Sequence, residues 1–129
     1  MADFTDAQYF LNRECTWVKF NERVLREAIV PSNPLLEQLN FIAIAASNLD
    51  EFFMIRVAGV KHLVESGVKH IDIAGMTPQE QFEAIQSMVH KLVGDQYRYY
   101  GDIQQKLQAH GLHFIGVDAL DDDQRLWLE

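Results

Sequence analysis

The sequence has few of the residues that mark exported, disulfide-bonded or membrane-spanning proteins. Cys15 is the one cysteine among 129 residues, so no disulfide can form within the chain. We interpret Cys15 as a small buried hydrophobic residue in a reduced compartment, with a reactive thiol as the alternative. No apolar run approaches the roughly 18 residues of a membrane span. We therefore expect a cytoplasmic protein without a transmembrane helix.

Basic residues are also scarce. The chain has 11 Lys and Arg against 19 Asp and Glu, which gives a formal net charge of −8. Binding to nucleic acids or to anionic membranes depends on Lys and Arg that neutralise phosphates, so the sequence argues against both. With only three prolines, seven glycines and 48% hydrophobic residues, the composition is that of one globular domain.

The first helix is predicted over residues 16–29, because apolar residues recur at helical spacing after a potential cap at Thr16. Its apolar positions are Trp17, Phe20, Val24, Leu25 and Ala28. Lys19, Arg23 and Arg26 form a basic stripe on roughly the opposite face. This stripe is either solvated or turned toward a phosphate, and the sequence leaves both interpretations open.

Two long helices follow. The second begins after Pro34 and ends at Gly67, with apolar residues at a near-heptad spacing. These are Leu39, Ile42, Ala46, Leu49, Phe53, Val60 and Val64. Thr77-Pro78-Gln79-Glu80 is a capping box with proline at the first helical position, and it predicts a third helix that ends at Gly111. Its inward positions are Phe82, Ile85, Val89, Leu92, Gln96, Tyr99, Ile103, Leu107 and His110.

Together these elements predict an all-α fold. Two long helices of matched length joined by a short loop form an antiparallel hairpin, and the shorter N-terminal helix completes a three-helix bundle over residues 1–111. Val68, Ile71 and Ile73 of the connecting loop are candidates to pack on the helices. Residues 112–129 are predicted to be a linker followed by the acidic start of a further helix, which we expect to continue beyond Glu129.

Motifs of autonomous catalysis are not found. The sequence has no glycine-rich phosphate loop, no pair of cysteines for a metal and no nucleophile elbow. Five histidines are scattered along it, and none follows a glutamate at the spacing of a helical di-metal site. They are His62, His70, His90, His110 and His113. We therefore predict no catalytic and no metal-binding residue in this chain.

A polar patch interrupts the second helix near its middle. Asp50 or Glu51 is expected to pair with Arg56, or with Arg23 of the first helix, as an ordinary network between helices. Asn48 falls on a second face of the helix. Its carboxamide offers a donor and an acceptor together, which suits a nucleobase edge as well as helix pairing.

Apolar residues are interspersed with this polar patch. Leu49 and Phe53 are predicted to lie in the core. Phe52 and Ile55 share the face of Asn48 and are expected to be exposed. An exposed apolar pair beside charges is also typical of an interface, so a structural docking or oligomerisation module without nucleotide contact is the alternative function.

Four segments of the chain resemble the N-terminal domain of bacterial polyphosphate kinases of the first type. They are residues 13–17 (RECTW), 20–25 (FNERVL), 33–37 (NPLLE) and 48–53 (NLDEFF), the last followed by Arg56. Cys15 stands where that family commonly has leucine, and Thr16 and Val18 replace similar residues. Several blocks in the same order are far more specific than any single one.

The resemblance implies an enzyme that reversibly moves the terminal phosphate of ATP onto polyphosphate, using magnesium and a histidine that becomes phosphorylated. In that family the histidine and the metal ligands belong to later domains. Only Asn48 is carried over, as a contact to the ATP adenine. The isolated domain is expected to be inactive and to hold no cofactor.

The same resemblance implies the partners. ATP and polyphosphate would be met together with the other domains of the same chain, and homo-oligomerisation is left open. Any association with a membrane would come through the full-length enzyme.

Overall fold

The computed structural model describes residues 5–128 and is helical throughout its regular structure; residues 1–4 and Glu129 are not described. Its helices are α1 (Arg13–Arg26), α2 (Leu35–Phe52), a π-helical segment (Phe53–Val57), α3 (Ala58–Glu65), α4 (Pro78–Ala109) and α5 (Asp122–Leu128). Short 3₁₀ turns occupy Ala7–Tyr9, Glu27–Ile29 and Val117–Ala119. No strand occurs in this part of the chain, which confirms the all-α prediction.

The three-helix bundle is confirmed as well. α2, the π-helical segment and α3 run on without a break and pack along the 32-residue α4 to form the hairpin. α1 packs on both α2 and α4 and closes one side of the core. The buried apolar side chains come from all these helices and from the turn after α1, and the most deeply buried of them are Val18, Leu25, Ala28, Ala45, Phe52, Ile85 and Ile103.

The predicted helix ends follow local signals and are correct. Gly67 and Gly111 have φ angles of 68° and 81°, a conformation that glycine adopts without a Cβ penalty at helix C-termini. The Thr77 capping box is present, with Thr77 accepting from the backbone N–H of Glu80 and the Glu80 side chain accepting from that of Thr77.

The start of α1 was predicted wrongly. Asn12, not Thr16, caps the helix, because its Oδ1 accepts from the backbone N–H of Cys15 at 2.8 Å. Its Nδ2 donates to Asp72 in the loop after α3 at 2.7 Å. Asp72 also accepts from the backbone N–H groups of Ala74 and Met76. One buried asparagine therefore begins the first helix and holds the loop of the hairpin against it.

The π-helical segment changes which side chains face the core. A regular helix continued from buried Phe52 would turn Arg56 and Gly59 inward, whereas the wider π turn inserts one residue and turns Val57 and Val60 inward. The predicted positions of the two phenylalanines are reversed for a separate reason: the buried stripe of α2 runs through Ile42, Ala45 and Leu49 and reaches Phe52 rather than Phe53. Phe52 is only 2% exposed, and Phe53, placed in the core by the sequence pattern, is 41% exposed.

Other predicted inward positions also differ at the edges of the core. Phe20 of α1 is 47% exposed, because α1 turns Val18, Asn21 and Leu25 toward the other helices instead. His110 is exposed at the end of α4. In the loop after α3 three apolar side chains were predicted to pack on the helices, but all three are exposed: Val68, Ile71 and Ile73.

The C-terminal part is a linker followed by a short helix. Residues 112–116 have no regular secondary structure, and α5 begins at Asp122, as the acidic pattern predicted. The apolar side chains of α5 are exposed: Leu126, Trp127 and Leu128. Its predicted continuation at Glu129 lies outside the described residues.

Candidate functional site

A cavity of about 200 Å³ opens where α1 meets the end of α2 and the π-helical segment. It is lined by Trp17, Phe20, Asn48, Glu51, Phe52, Ile55 and Arg56. Pockets for drug-sized ligands are usually about 300–1,000 Å³, so this cavity is large enough for a planar ring rather than for a whole nucleotide. We call it the Asn48 pocket.

Aromatic rings form the inner wall of the Asn48 pocket. The rings of Trp17 and Phe52 are stacked, with centroids 4.1 Å apart and planes within 3° of parallel. Phe20 stands at the rim, half exposed, with the guanidinium of Arg23 5.9 Å from its ring centroid. Because Phe52 is buried behind this stack, a flat ring system in the cavity would meet mainly the half-buried Trp17 and the half-exposed Phe20.

Asn48 reaches the pocket as part of a chain of amides. Its Nδ2 donates to Oδ1 of Asn21 at 3.1 Å, and Nδ2 of Asn21 donates to the backbone carbonyl of Ala45 at 2.9 Å. Asn21 is fully buried, whereas Asn48 is half-buried. Within residues 5–128 no donor reaches Oδ1 of Asn48, so this oxygen remains free to accept a hydrogen bond.

The charged side of the Asn48 pocket is organised by a buried carboxylate. The Glu14 side chain is 8% exposed and accepts from Nη1 of Arg56 at 3.2 Å and from Arg13 at 2.8 Å. Such a buried carboxylate is tolerated because it is paired and hydrogen-bonded. Arg56 is about one third exposed, and a guanidinium has five N–H donors, so the ion pair leaves donors of Arg56 available.

This network corrects the predicted ion pairs. Arg56 pairs with Glu14 of α1 rather than with Asp50 or Glu51. Both of those carboxylates are exposed, and in the described part of the chain neither takes part in a salt bridge. The outward position of Phe52 was also wrong, since that ring is buried, while Ile55 is exposed as predicted.

The three basic side chains of the α1 stripe, Lys19, Arg23 and Arg26, lie in different environments. Arg26 forms a salt bridge with Glu22 at 2.9 Å, and Arg23 lies over Phe20. Lys19 lines a different cleft between α1 and α4. The three side chains do not converge on one anion site, and whether any of them meets a phosphate stays open.

Cys15 is half-buried, and burial raises the pKa of its thiol, with Lys19 opposing the effect. This is the environment of an unreactive thiol rather than of a nucleophile.

His90 and His110 have Nδ1 atoms 2.8 Å from the carbonyls of Gln86 and Lys106 in their own helix. Among residues 5–128, no group of three or more His, Cys, Asp and Glu is placed to hold a metal ion.

A second cavity, of about 370 Å³, lies between the π-helical segment and α4. Its lining is mostly apolar and includes Phe53, Val57, Phe82 and Val89. Its polar members are Gln86 and His90, and Nδ1 of His90 is turned to the backbone carbonyl of Gln86. It lacks the converging polar groups that orient a nucleotide, so the Asn48 pocket is the better candidate site.

No helix in the described residues combines the length and apolar character that crossing a bilayer requires.

Sequence reasoning found Asn48 and Arg56 but missed the two buried residues that hold them, Asn21 and Glu14. Both lie in α1 and are polar, which in a sequence is typical of an exposed helix face. The available signal was their position: Asn21 lies three and four residues from the core positions Val18 and Leu25, so its side chain had to face the core.

Comparison with known proteins identifies the family. Residues 10–115 match the family model described as polyphosphate kinase N-terminal domain. The chain is 49% identical over 98% of its length to a polyphosphate kinase of Halalkalibacterium halodurans, of which it covers 18%. It is 52% identical over 84% of its length to a polyphosphate kinase of Staphylococcus haemolyticus, of which it covers 15%.

The chain is 42% identical over 98% of its length to a polyphosphate kinase of Thermosynechococcus vestitus, of which it covers 17%. No solved structure matches the chain. The chain thus spans about a sixth of the length of the curated relatives it matches, and its match begins just before the cap of α1 and ends beyond α4. The bundle that carries the Asn48 pocket therefore belongs to the polyphosphate kinase N-terminal domain family.

Proposed function

We propose that this domain serves a kinase that reversibly transfers the terminal phosphate of ATP to polyphosphate, and that the Asn48 pocket contacts the adenine. One observation carries the proposal: Asn48 brings a free amide oxygen to a cavity walled by stacked aromatic rings. A purine needs both features, a flat surface for its ring and a polar group for its edge.

The expected strength of this contact is modest. A bidentate contact between an amide and a base is worth about 1–3 kcal/mol, and stacking adds about 1–3 kcal/mol per base. Even millimolar affinity requires about 4 kcal/mol. The pocket alone would hold ATP only weakly, so it contributes to a nucleotide site that the rest of the kinase completes.

The phosphates are expected to be bound by other parts of the kinase. A polyphosphate chain needs concentrated positive charge, whereas this domain has a formal net charge of −8. Magnesium is the usual metal of ATP chemistry, but no group of side chains within residues 5–128 fits a metal site. We therefore assign neither a catalytic residue nor a step that involves the metal to this domain.

The test is Asn48→Ala in a full-length polyphosphate kinase that carries this domain. Loss of a contact worth about 1–3 kcal/mol should raise the KM for ATP about 5- to 150-fold and change kcat much less, the pattern of lost substrate binding. Melting temperature should be measured beside it, since the change also removes the partner of Asn21.

The matched control is Asn40→Ala. Asn40 is an exposed asparagine of the same helix, and its Nδ2 donates to the Glu37 carboxylate at 3.5 Å. Its replacement should leave the KM for ATP unchanged. A KM that is equally unchanged in Asn48→Ala would reject the adenine contact and would favour a structural or docking module.

A further inference from the structure

The orientation of the Asn48 amide is fixed by a residue that does not line the pocket. The backbone carbonyl of Ala45 can only accept, so the buried Asn21 must turn its Nδ2 toward that carbonyl. Its Oδ1 is then the atom that faces Asn48, 3.1 Å away. An oxygen in that position requires a donor, and Asn48 must therefore present its Nδ2 to Asn21 and keep its Oδ1 for the pocket.

Turning the Asn48 amide over would be unfavourable. Two amide oxygens would face each other, and the oxygen of Asn21, a residue that is 0% exposed, would lose the one donor it has among residues 5–128. Asn21 cannot turn with it, because it would then aim an oxygen at the carbonyl of Ala45. The two bonds thus act as a lock with one orientation, which we call the Asn21 lock.

A locked amide distinguishes adenine from guanine. The group at carbon 6 is an amino donor in adenine and a carbonyl acceptor in guanine. For a base held in place by stacking, a fixed Oδ1 of Asn48 accepts from the adenine amino group but repels the guanine oxygen. An amide that turned freely would present Nδ2 to guanine and lose this discrimination.

We propose that Asn21 is a positioning residue that determines base specificity: by holding the amide oxygen of Asn48 outward, it selects adenine over guanine. This inference rests on the proposed adenine contact of Asn48. It goes beyond that contact by making the preference a property of α1, through a side chain that touches no substrate.

The experiment compares kcat/KM for ATP and GTP in a full-length polyphosphate kinase that carries this domain. Asn21→Leu fills a similar volume but offers no acceptor, so the Asn48 amide can turn. The ratio of kcat/KM for ATP to that for GTP should fall at least about five-fold, the lower end of the discrimination expected for one amide contact. Asn21→Ala should produce the same fall and is measured in parallel in case the leucine variant does not fold.

Gln38→Leu is the matched control for loss of stability. Gln38 is a buried amide whose Nε2 donates to the carbonyls of Val30 and Asn33, away from the Asn48 pocket. This variant should lose stability but keep the ATP to GTP ratio. A purely structural role for Asn21 would likewise leave the ratio at its original value.

The outcomes separate the two proposals. If Asn48→Ala raises the KM for ATP while both Asn21 variants keep the original ratio, the Asn21 lock is rejected and the adenine contact stands. If Asn48→Ala leaves the KM unchanged, the adenine contact itself fails. A fall of the ratio in the Asn21 variants that is not seen in Gln38→Leu supports the lock.

Discussion

Replacing Phe52 by alanine should destabilise the domain far more than replacing its neighbour Phe53. Phe52 is 2% exposed and stacks on Trp17 at 4.1 Å, so its removal leaves a cavity between α1 and α2. Such a change costs about 3–5 kcal/mol. Phe53 is 41% exposed and lies outside the closely packed core, so its loss should cost only about 1 kcal/mol.

Urea unfolding followed by far-UV circular dichroism measures this difference. With a slope of about 2 kcal/mol per molar urea, Phe52→Ala should lower the midpoint by about 1.5–2.5 M and Phe53→Ala by about 0.5 M. The two residues are adjacent and chemically identical, so each is the control for the other. Equal losses, or a larger loss at Phe53, would refute the burial of Phe52 against Trp17.

Two further predictions concern α1. Asn12→Ala should lower the free energy of unfolding by about 1–2 kcal/mol, because it removes the helix cap. It should also speed amide exchange in the loop held by Asp72, and unchanged exchange in that loop would contradict the contact. The raised pKa of Cys15 leaves less thiolate at a given pH, so alkylation near pH 8.5 should be slower than for a free cysteine and should reach the free rate in urea. An alkylation rate in the folded protein equal to that of free cysteine would contradict the burial of the thiol.

The fold could be predicted where a local signal determines the structure. The Thr77 capping box and the positive φ angles at Gly67 and Gly111 are properties of a few neighbouring residues, and the long hairpin follows from them. The cap of α1 was missed because asparagine and threonine both suit that position. The choice of Asn12 depends on Asp72, which is 60 residues away in sequence.

The π-helical segment shows why the candidate site was only half predictable. The sequence pattern placed Phe53 in the core, whereas the buried stripe of α2 ends on Phe52, and the inserted residue of the π turn then shifts the inward register to Val57 and Val60. The partners of Arg56 and Asn48 were likewise hidden, because Glu14 and Asn21 lie on another helix. Asn48, predicted as an adenine contact, lines the pocket, and its contact with adenine remains a proposal.

The arrangement of the Asn48 pocket suggests a division of roles among its polar groups. Glu14 fixes Arg56, and Asn21 fixes Asn48, so both groups that point at the cavity are held by buried partners from α1. Preorganised groups lose less conformational entropy when a ligand binds. If the proposed adenine contact holds, this preorganisation is the means by which we expect the domain to influence the choice of nucleotide.

The most direct test of the central claim is a structure of a full-length polyphosphate kinase that carries this domain, bound to a non-hydrolysable ATP analogue. We expect the adenine ring in the Asn48 pocket, with its amino group within hydrogen-bonding distance, about 3 Å, of Oδ1 of Asn48. An adenine bound elsewhere, with the Asn48 pocket empty or covered by another domain, would contradict the proposed function.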